Sequence, residues 1–224
     1  MTDILKLLTY SALSYEKYQP FDGSEKIISV NRTDSGVQYY IRILQKTIYI
    51  AFRGSDSLRD AFADIKFTRK NLPFCNPDNK IKVHRGFLNA YLSAGVRDRI
   101  LSYISDETEH IFFTGHSYGA ALALICAYDI CCHNPALSFS VAVYGCPRVG
   151  NMRFATEYNK KLPDTVRIEN GNDAVAKIPP AVFGYRHVGK MKHFGPPKVF
   201  GVYSISDHAI VNYLKNIKGD GNIL

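Results

Sequence analysis

The stretch from residue 111 to residue 127 constrains the fold of this chain more than any other part. A short apolar run at residues 111–114 leads into Gly115-His116-Ser117-Tyr118-Gly119, and this pentapeptide leads into an apolar, alanine-rich segment at residues 120–127. Aromatic and β-branched residues favour strands, whereas alanine and leucine favour helices. The stretch therefore predicts a strand, a tight turn carrying Ser117, and a helix. Side chains at the two glycine positions of such a turn would meet neighbouring backbone.

The rest of the chain alternates strand-like and helix-like segments. Continuous apolar runs such as Val141-Ala142-Val143 lie between helical patterns, which indicates a sheet that is buried on both faces. We therefore predict an α/β fold with a mostly parallel central sheet flanked by helices. Strands are expected at residues 36–43, 47–52, 111–114, 139–144, 165–169, 185–188 and 199–205, and helices at 4–18, 86–105, 118–132, 152–161 and 208–217.

Length and composition limit the class of protein. The chain has 224 residues, of which 46% are hydrophobic and 21% charged, as is usual for one globular domain. No run approaches the roughly 18 consecutive apolar residues of a membrane span. The first residues also lack the basic and apolar regions of a secretory leader. We expect a single domain over residues 1–224 and a cytoplasmic location.

The cysteines and the net charge bear on redox state and partners. Five cysteines, three of them in one predicted helix, favour reduced buried thiols over a disulfide framework. The net charge of +8 allows nucleic acid, an anionic membrane surface or an acidic substrate as a partner. The sequence has no zinc-ligand cysteine pairs and no aromatic-glycine RNA-binding signature, so we expect no nucleic acid partner. The cysteines are Cys75, Cys126, Cys131, Cys132 and Cys146.

A serine hydroxyl attacks efficiently only when a histidine takes its proton and an acid orients that histidine. Of the seven histidines, His208 has the best setting, after a predicted strand and at the start of the last helix. Asp173 follows the strand at residues 165–169, so it too is expected at the carboxyl edge of the sheet. His187 falls within a predicted strand, and Asp207 is better placed as a helix cap. The order Ser117, Asp173, His208 is the one that α/β-hydrolases use.

Two donors are candidates for stabilising negative charge on a reacting carbonyl oxygen. The first is the backbone N–H of Tyr118, directly after Ser117. The second is expected on the turn that follows the strand at residues 47–52, where Ser55 has both a backbone N–H and a hydroxyl. We therefore predict Ser55 and Tyr118 as the oxyanion residues.

Five motifs occur along the chain between residues 52 and 180. They are Phe52-Arg53-Gly54-Ser55, Val83-His84-Arg85-Gly86-Phe87, the region from Gly115 to Ala123, Tyr144-Gly145-Cys146-Pro147-Arg148-Val149-Gly150-Asn151, and Gly171-Asn172-Asp173 followed by Ile178-Pro179-Pro180. Two weaker motifs, at residues 185–189 and at Asp207-His208, follow in the same order. Together these motifs resemble the fungal-type (class 3) lipase family.

The resemblance implies a particular fold, reaction and set of site residues. It implies the α/β-hydrolase fold, with a short helical lid at about residues 56–80. It also implies hydrolysis of carboxylic esters, usually acylglycerols, by an acyl-enzyme route without cofactor or metal. Ser117, Asp173 and His208 match the triad positions of the family, and Ser55 and Tyr118 match its oxyanion positions. Tyr118 stands where the family commonly has leucine, and Phe62 stands where the lid often has tryptophan.

The sequence leaves the exact substrate open. A lipid or ester substrate is expected, and the alternatives to an acylglycerol lipase are a phospholipase and a soluble-ester (feruloyl-type) esterase. Between Asp173 and Asp207 there are several cations and no acidic residue, so we hypothesise contact with an anionic lipid surface. Outside enzymes, the alternative is an inactive hydrolase-fold module that binds lipid.

Overall fold

The computed structural model describes residues 4–16, 26–32, 36–55, 66–93, 95–197 and 199–219. Its main sheet has seven strands. Five adjacent strands run parallel to one another, and the other two extend the sheet at one edge by antiparallel pairing. The predicted α/β class with a mostly parallel central sheet is confirmed. The strands, in sheet order, are β1 (Lys26–Arg32), β2 (Val37–Leu44), β3 (Thr47–Phe52), β6 (His110–His116), β7 (Ser138–Tyr144), β9 (Val166–Asn170) and β11 (Lys190–Phe194).

Helices cover both faces of this sheet. On β7, Val141 and Val143 pack into one apolar cluster, whereas Ala142 and Tyr144 pack into another, as the alternation of a strand requires. Helix α4 (Tyr118–His133) covers the first face, and thirteen of its sixteen residues are buried. Helices α1 (Ile4–Leu13) and α6 (Ile210–Gly219) contribute to the cluster on the second face.

Among the described residues, the remaining strands form a smaller antiparallel sheet, and the remaining helices are three short α-helices and three single-turn 3-10 helices. In sheet order the strands are β10 (Tyr185–Arg186), β8 (Gly150–Asn151), β5 (Lys82–His84) and β4 (Arg69–Asn71). The helices are α2 (Arg85–Leu92), α3 (Val96–Leu101) and α5 (Met152–Lys161). None of the helices in the described ranges has the length and apolarity to cross a bilayer.

The last strand of the main sheet is β11, and the strand predicted at residues 199–205 is wrong. Those residues form a loop, in which a single β-bridge joins Ser204 to Asp173. β11 has the sequence KMKHF and its first three residues are exposed. Lysines are typical of an edge strand, where they oppose further pairing, and they leave no apolar run by which to recognise it. β1, at the other edge, is likewise absent from the predicted strands. Of the strand predicted at residues 185–188, only residues 185–186 form a strand.

The single helix predicted at residues 86–105 is two helices. α2 ends at Leu92 and α3 begins at Val96. Between them, Gly95 has a φ of 69°, in the left-handed region that glycine enters without the steric cost of a side chain. A residue in that conformation cannot continue a right-handed helix, so the chain turns there.

The expectation of reduced thiols is wrong for two of the five cysteines. Cys75 and Cys132 form a disulfide, with their Cα atoms 6.1 Å apart, while Cys126, Cys131 and Cys146 are free and buried. The bond ties the irregular segment after β4 to the end of α4. Because 57 residues separate the two cysteines, no local pattern in the sequence marks them as a pair.

The predicted lid at about residues 56–80 is described only in part. Residues 56–65, which include Phe62, lie outside the described residues. Residues 66–80 contain β4 and a turn-rich segment in which Leu72 and Phe74 are buried against the main core. This second half of the segment therefore packs on the body of the protein.

Candidate active site

Ser117 lies on the tight turn between β6 and α4. Its φ of 59° and ψ of −125° are unusual for a residue with a side chain and mark local backbone strain. Two flanking glycines make the turn possible. A Cβ on Gly115 would lie 2.8 Å from the backbone nitrogen of Ala120, and a Cβ on Gly119 would lie 2.7 Å from the carbonyl carbon of Arg53. The pentapeptide is thus required by the close approach of strand, helix and loop.

Asp173 and His208 form a buried hydrogen-bonded pair. His208 Nδ1 lies 2.8 Å from Oδ2 and 2.9 Å from Oδ1 of Asp173. A carboxylate only accepts hydrogen bonds, so Nδ1 carries the proton and Nε2 of the neutral ring carries the lone pair. The hydroxyl of Tyr213 donates to Asp173 Oδ2 at 2.6 Å, and the backbone N–H of Val175 donates to Oδ1 at 2.8 Å. These contacts fix the carboxylate and, through it, the orientation of the imidazole.

The surroundings keep Asp173 ionised despite its burial. Burial by itself raises the pKa of this carboxyl. The hydrogen bond from His208 and the positive charge that this ring has when protonated, together with the donors on Tyr213 and Val175, outweigh burial, so the pKa of Asp173 lies below its ordinary value. An ionised acid beside Nδ1 stabilises the positive charge that the imidazole acquires when it takes a proton at Nε2.

Gly145 brings this pair next to Ser117. The backbone N–H of Ser117 donates to the carbonyl of Tyr144 at 2.9 Å, and the next residue, Gly145, faces the pair. A Cβ on Gly145 would lie 2.7 Å from His208 Cε1 and 2.9 Å from Asp173 Oδ2. Any side chain here would displace the histidine. Gly145 belongs to one of the motifs, but its role here depends on contacts with residues far away in the chain, which no local pattern indicates.

The hydroxyl of Ser117 and the Nε2 atom of His208 are left without partners. Ser117 Oγ and His208 Nε2 are both buried, and neither has a hydrogen-bond partner among the described residues. Buried polar atoms are normally paired, so such atoms at the carboxyl edge of a sheet mark a place where chemistry or binding supplies the partner. The structure places Ser117, Asp173 and His208 close together in one buried centre.

His116 supports His208, a role that no local pattern in the sequence indicates. Its ring stacks on that of His208, with 4.5 Å between the centroids, and its Nε2 donates to the backbone carbonyl of His208 at 2.8 Å. The other nitrogen, Nδ1, therefore accepts from the hydroxyl of Tyr15 at 2.8 Å. Burial, followed by the charge of His208, lowers the pKa of His116 to about 3, so this ring is neutral and does not compete for protons.

The predicted oxyanion residues lie on the two segments that meet at Ser117. Tyr118 is the first residue of α4, so its backbone N–H is at the helix start, where amides point away from the helix. Ser55 follows Gly54, and a Cβ on Gly54 would lie 3.2 Å from Ser117 Cβ. The ring of Tyr118 packs edge-on against Phe87 at 5.6 Å, and burial raises the pKa of its hydroxyl to about 12. The side chain of Tyr118 is therefore uncharged and lies beside the site.

Asp207 and His187, which the sequence did not favour as site residues, lie outside the buried centre. The Asp207 carboxylate accepts from the backbone N–H of Asn172 at 2.8 Å, so it pins the turn that carries Asp173 instead of capping the last helix. His187 lies just after β10, and its Nε2 is 2.8 Å from the carbonyl of Ala176. Burial lowers the pKa of His187 to about 3. Neither residue is part of the buried centre.

Comparison with known proteins identifies the family. The family model described as lipase (class 3) matches residues 49–183, which is more than half of the chain. The chain belongs to this family. The class 3 lipase fold of the chain is the α/β-hydrolase fold, as the sequence predicts. A solved structure of a triacylglycerol lipase, described as having a catalytic centre formed by a serine protease triad, superposes with a TM-score of 0.77 at 27% identity and covers 91% of each chain.

Two curated class 3 lipase relatives show how much of a longer protein the chain matches. A lipase of Rhizomucor miehei is 39% identical over 155 residues, which are 65% of this chain and 41% of that protein. A secreted mono- and diacylglycerol lipase of Fusarium solani is 27% identical over 208 residues, which are 91% of this chain and 61% of that protein. The chain thus aligns with about two fifths to three fifths of these relatives.

The expectation of a cytoplasmic location is wrong. It rested on the cysteine pattern and on the first residues of the chain. The relative from Fusarium solani that aligns with most of this chain is a secreted enzyme, and Cys75 and Cys132 form a disulfide. Disulfides persist in oxidising compartments and are rare in the cytosol, so the disulfide also argues against the cytoplasmic expectation.

Proposed function

We propose that this chain is a serine carboxylic-ester hydrolase of the lipase type that acts on acylglycerols. The observation that carries the proposal is the pair of unpartnered buried atoms, Ser117 Oγ and His208 Nε2, beside an imidazole whose other nitrogen is held by Asp173. A nucleophile, a base with a free lone pair and an ionised orienting acid are the components of acyl transfer by serine.

In the proposed first step, Ser117 Oγ attacks the ester carbonyl carbon while His208 Nε2 takes the hydroxyl proton. The backbone N–H of Tyr118 and a donor on Ser55 stabilise the oxygen as it becomes negative; removal of one such donor costs roughly 3 to 4 kcal/mol of activation free energy in other enzymes. The protonated imidazole then gives its proton to the departing alcohol. The product is an acyl group covalently bound to Ser117.

In the proposed second step, water releases the acyl group. His208 Nε2 takes a proton from the water, which attacks the acyl carbonyl, and the same oxyanion donors stabilise the new negative charge. The carboxylic acid leaves when His208 returns the proton to Ser117 Oγ. Asp173 remains ionised throughout, because its hydrogen bonds hold its pKa below the ordinary value.

Acylglycerols are the proposed substrate class because the named relatives point to them. The similar proteins include a triacylglycerol lipase and a mono- and diacylglycerol lipase. Contact with an anionic lipid surface is part of the proposal, since residues 174–206 hold five Lys and Arg and no acidic residue. The same charge favours a phospholipase as the second candidate function, because phospholipid surfaces carry anionic headgroups.

Covalent labelling by a fluorophosphonate tests the hydrolase proposal. This reagent forms a stable bond with an activated serine, so we expect labelling of the wild type and none of Ser117→Ala. Ser102→Ala is the matched control, because Ser102 is exposed and bonds only to the end of its own helix. An unlabelled wild type would contradict the proposal and favour an inactive lipid-binding module.

A substrate panel separates the ester classes. Turnover is measured on a triacylglycerol emulsion, a diacylglycerol, a phosphatidylglycerol vesicle and a soluble feruloyl ester, each with Ser117→Ala as the blank. The proposal expects the acylglycerols to have the highest kcat/KM. Preference for the phospholipid would favour the second candidate, and preference for the soluble aromatic ester would contradict both.

A further inference from the structure

Exposed apolar side chains concentrate in the loop at residues 199–205. In the described part of the chain, five of the eleven exposed large hydrophobic residues lie in this one loop, and Phe200 is 104% exposed. Single exposed apolar residues are ordinary, but a contiguous group of them marks a contact surface. The group comprises Val199, Phe200, Val202, Tyr203 and Ile205.

The backbone of the 199–205 loop presents Phe200 at a protruding tip. The N–H of Val202 donates to the carbonyl of Val199 at 3.3 Å, which closes a four-residue turn. Gly201, the third residue of that turn, has a φ of 78° and open space around it. A positive φ at this position is typical of a type II turn, in which the residue before the glycine lies at the corner. Phe200 is therefore held outwards by the turn itself.

Both ends of the 199–205 loop are tied to the segment that carries Asp173. The N–H of Val199 donates to the side-chain oxygen of Asn172 at 2.9 Å. The N–H of Ser204 donates to the carbonyl of Asn172 at 2.9 Å, and the carbonyl of Ser204 accepts from Ala174 at 3.1 Å. The apolar tip is thus held by hydrogen bonds to the two residues that flank Asp173, the acid of the candidate site. Whatever binds the tip lies beside that site.

Positive charge accompanies the apolar tip. Among the five cations between residues 174 and 206, Lys177 pairs with buried Glu169 and Lys190 pairs with exposed Asp164. Lys192, also exposed, lies on the same edge strand β11 as Lys190. With no acidic residue of its own, this part of the chain carries an excess of positive charge. It complements an anionic surface.

We propose that the 199–205 loop inserts Phe200 into an anionic lipid surface and thereby holds the candidate active site against that surface. The proposal rests on the proposed function. A convex tip with one aromatic ring fits a deformable lipid layer better than the rigid pocket of a protein. Tyr203, with an apolar ring and a polar hydroxyl, suits the boundary between acyl chains and headgroups.

A single-tryptophan reporter tests the proposal, because the chain contains no tryptophan. Phe200→Trp is made in the Ser117→Ala background, so that binding is measured without turnover. On phosphatidylglycerol vesicles we expect its emission to shift to shorter wavelength and to be quenched by brominated acyl chains. The matched control is Ser105→Trp in the same background. Ser105 is exposed in the turn before β6, at the amino ends of the strands and away from the 199–205 loop. Its emission is expected to stay unchanged.

A second variant measures the contribution of the tip to affinity. Removal of one apolar ring that is buried in lipid, as in Phe200→Ser, is expected to weaken partitioning onto phosphatidylglycerol vesicles by about tenfold or more. Added salt is expected to weaken it further. Emission of Phe200→Trp that does not change, or that changes no more than that of Ser105→Trp, would overturn the proposal and favour a protein partner. Equal partitioning onto phosphatidylcholine would overturn the anionic preference.

These outcomes are separable from those of the proposed function. Fluorophosphonate labelling of the wild type in solution reports on Ser117 without any lipid. If the wild type is labelled but the emission of Phe200→Trp shows that the ring stays in water, only the insertion proposal is contradicted. An unlabelled wild type with an inserted reporter contradicts the hydrolase proposal and leaves insertion standing.

Discussion

The Nε2 atom of His116 lies 2.8 Å from the backbone carbonyl oxygen of His208, and the two rings stack with their centroids 4.5 Å apart. The histidine of the pentapeptide therefore holds the histidine that faces Ser117. This contact joins residues that are 92 positions apart. It gives the candidate site a support that is independent of Asp173.

Replacement of His116 tests its role as a positioning residue. His116→Phe keeps a stacked ring but removes both hydrogen bonds, so the buried carbonyl of His208 loses the bond from Nε2. A buried group left unpaired costs about 1 to 3 kcal/mol. We expect kcat on a soluble ester to fall about 10- to 100-fold with little change in KM, because His208 becomes misplaced.

The control for this change is His110→Phe, at the other end of β6, where the ring bonds to Ser140. Its kcat is expected to match that of the wild type. The more conservative His116→Gln, which can still donate to the carbonyl of His208, is expected to recover part of kcat. Equal losses in His116→Phe and His110→Phe would show that His116 has a structural role only.

Gly145 is expected to tolerate no side chain. In Gly145→Ala the new methyl group would lie 2.7 Å from His208 Cε1 at a backbone φ of 55°, so the histidine must move. We expect fluorophosphonate labelling to slow by about 100-fold or more, since a displacement of about 1 Å at a reacting group has effects of that order.

Gly36→Ala is the matched control for Gly145→Ala. Gly36 has a φ of 67° but no atom within 4 Å of the position of a Cβ. Both variants introduce the same backbone strain, and only one introduces the clash. Labelling of Gly36→Ala at the wild-type rate is expected. An equal slowing of both would attribute the effect to strain.

The buried carboxylate of Asp173 predicts a specific response to acid. Its pKa in the folded protein is below the ordinary value of 3.8. A carboxyl with a lowered folded pKa stabilises the fold above the unfolded value, and that stabilisation is lost as pH falls through the folded value. We expect the free energy of unfolding to drop below about pH 4, and the drop to be smaller in Asp173→Asn.

The control for this prediction is Asp164→Asn, whose carboxylate is exposed and bonds to Lys190 at the surface. Its unfolding free energy, measured by urea titration at each pH, is expected to follow the wild type. Asp173→Asn is also expected to lower kcat by a factor on the order of 10⁴, because the amide can donate to Nδ1 and favour the wrong tautomer. A pH profile of stability in Asp173→Asn identical to that of the wild type would refute the acid effect.

The disulfide predicts a dependence of stability on redox state. Closing the loop of 57 residues between Cys75 and Cys132 restricts the unfolded chain, which is worth about 4 kcal/mol in the chain-entropy description. Cys75→Ser combined with Cys132→Ser is therefore expected to lower Tm, and dithiothreitol is expected to lower the Tm of the wild type alone. A wild-type Tm that does not respond to reductant would contradict the prediction.

Local patterns in the sequence are sufficient to predict a structural element when the residues of one continuous segment determine it. The strand, turn and helix around Ser117 were predicted because apolar runs and glycines occur side by side. Asp173 was predicted because a carboxyl after a parallel strand lies at the carboxyl edge of the sheet. His208 was also predicted to lie there, although the strand expected before it is a loop that reaches the same edge.

Contacts between distant segments were not visible in the sequence. The bonds from His116 to His208, from Tyr213 to Asp173 and between Cys75 and Cys132 join residues 40 to 92 positions apart. Strand β11 was missed because an exposed edge strand has no apolar run. Long-range partners and edge strands depend on packing, which a single sequence does not display.

Ser117, Asp173 and His208 are proposed to act as one catalytic unit. The most direct measurement compares kcat/KM for a soluble ester in Ser117→Ala, His208→Ala and the double variant. Residues that act together lose almost all activity when either is removed, with losses on the order of 10⁶ in a serine protease. We therefore expect the double variant to be no slower than either single variant. Losses that multiply in the double variant, or turnover that survives in Ser117→Ala, would contradict it.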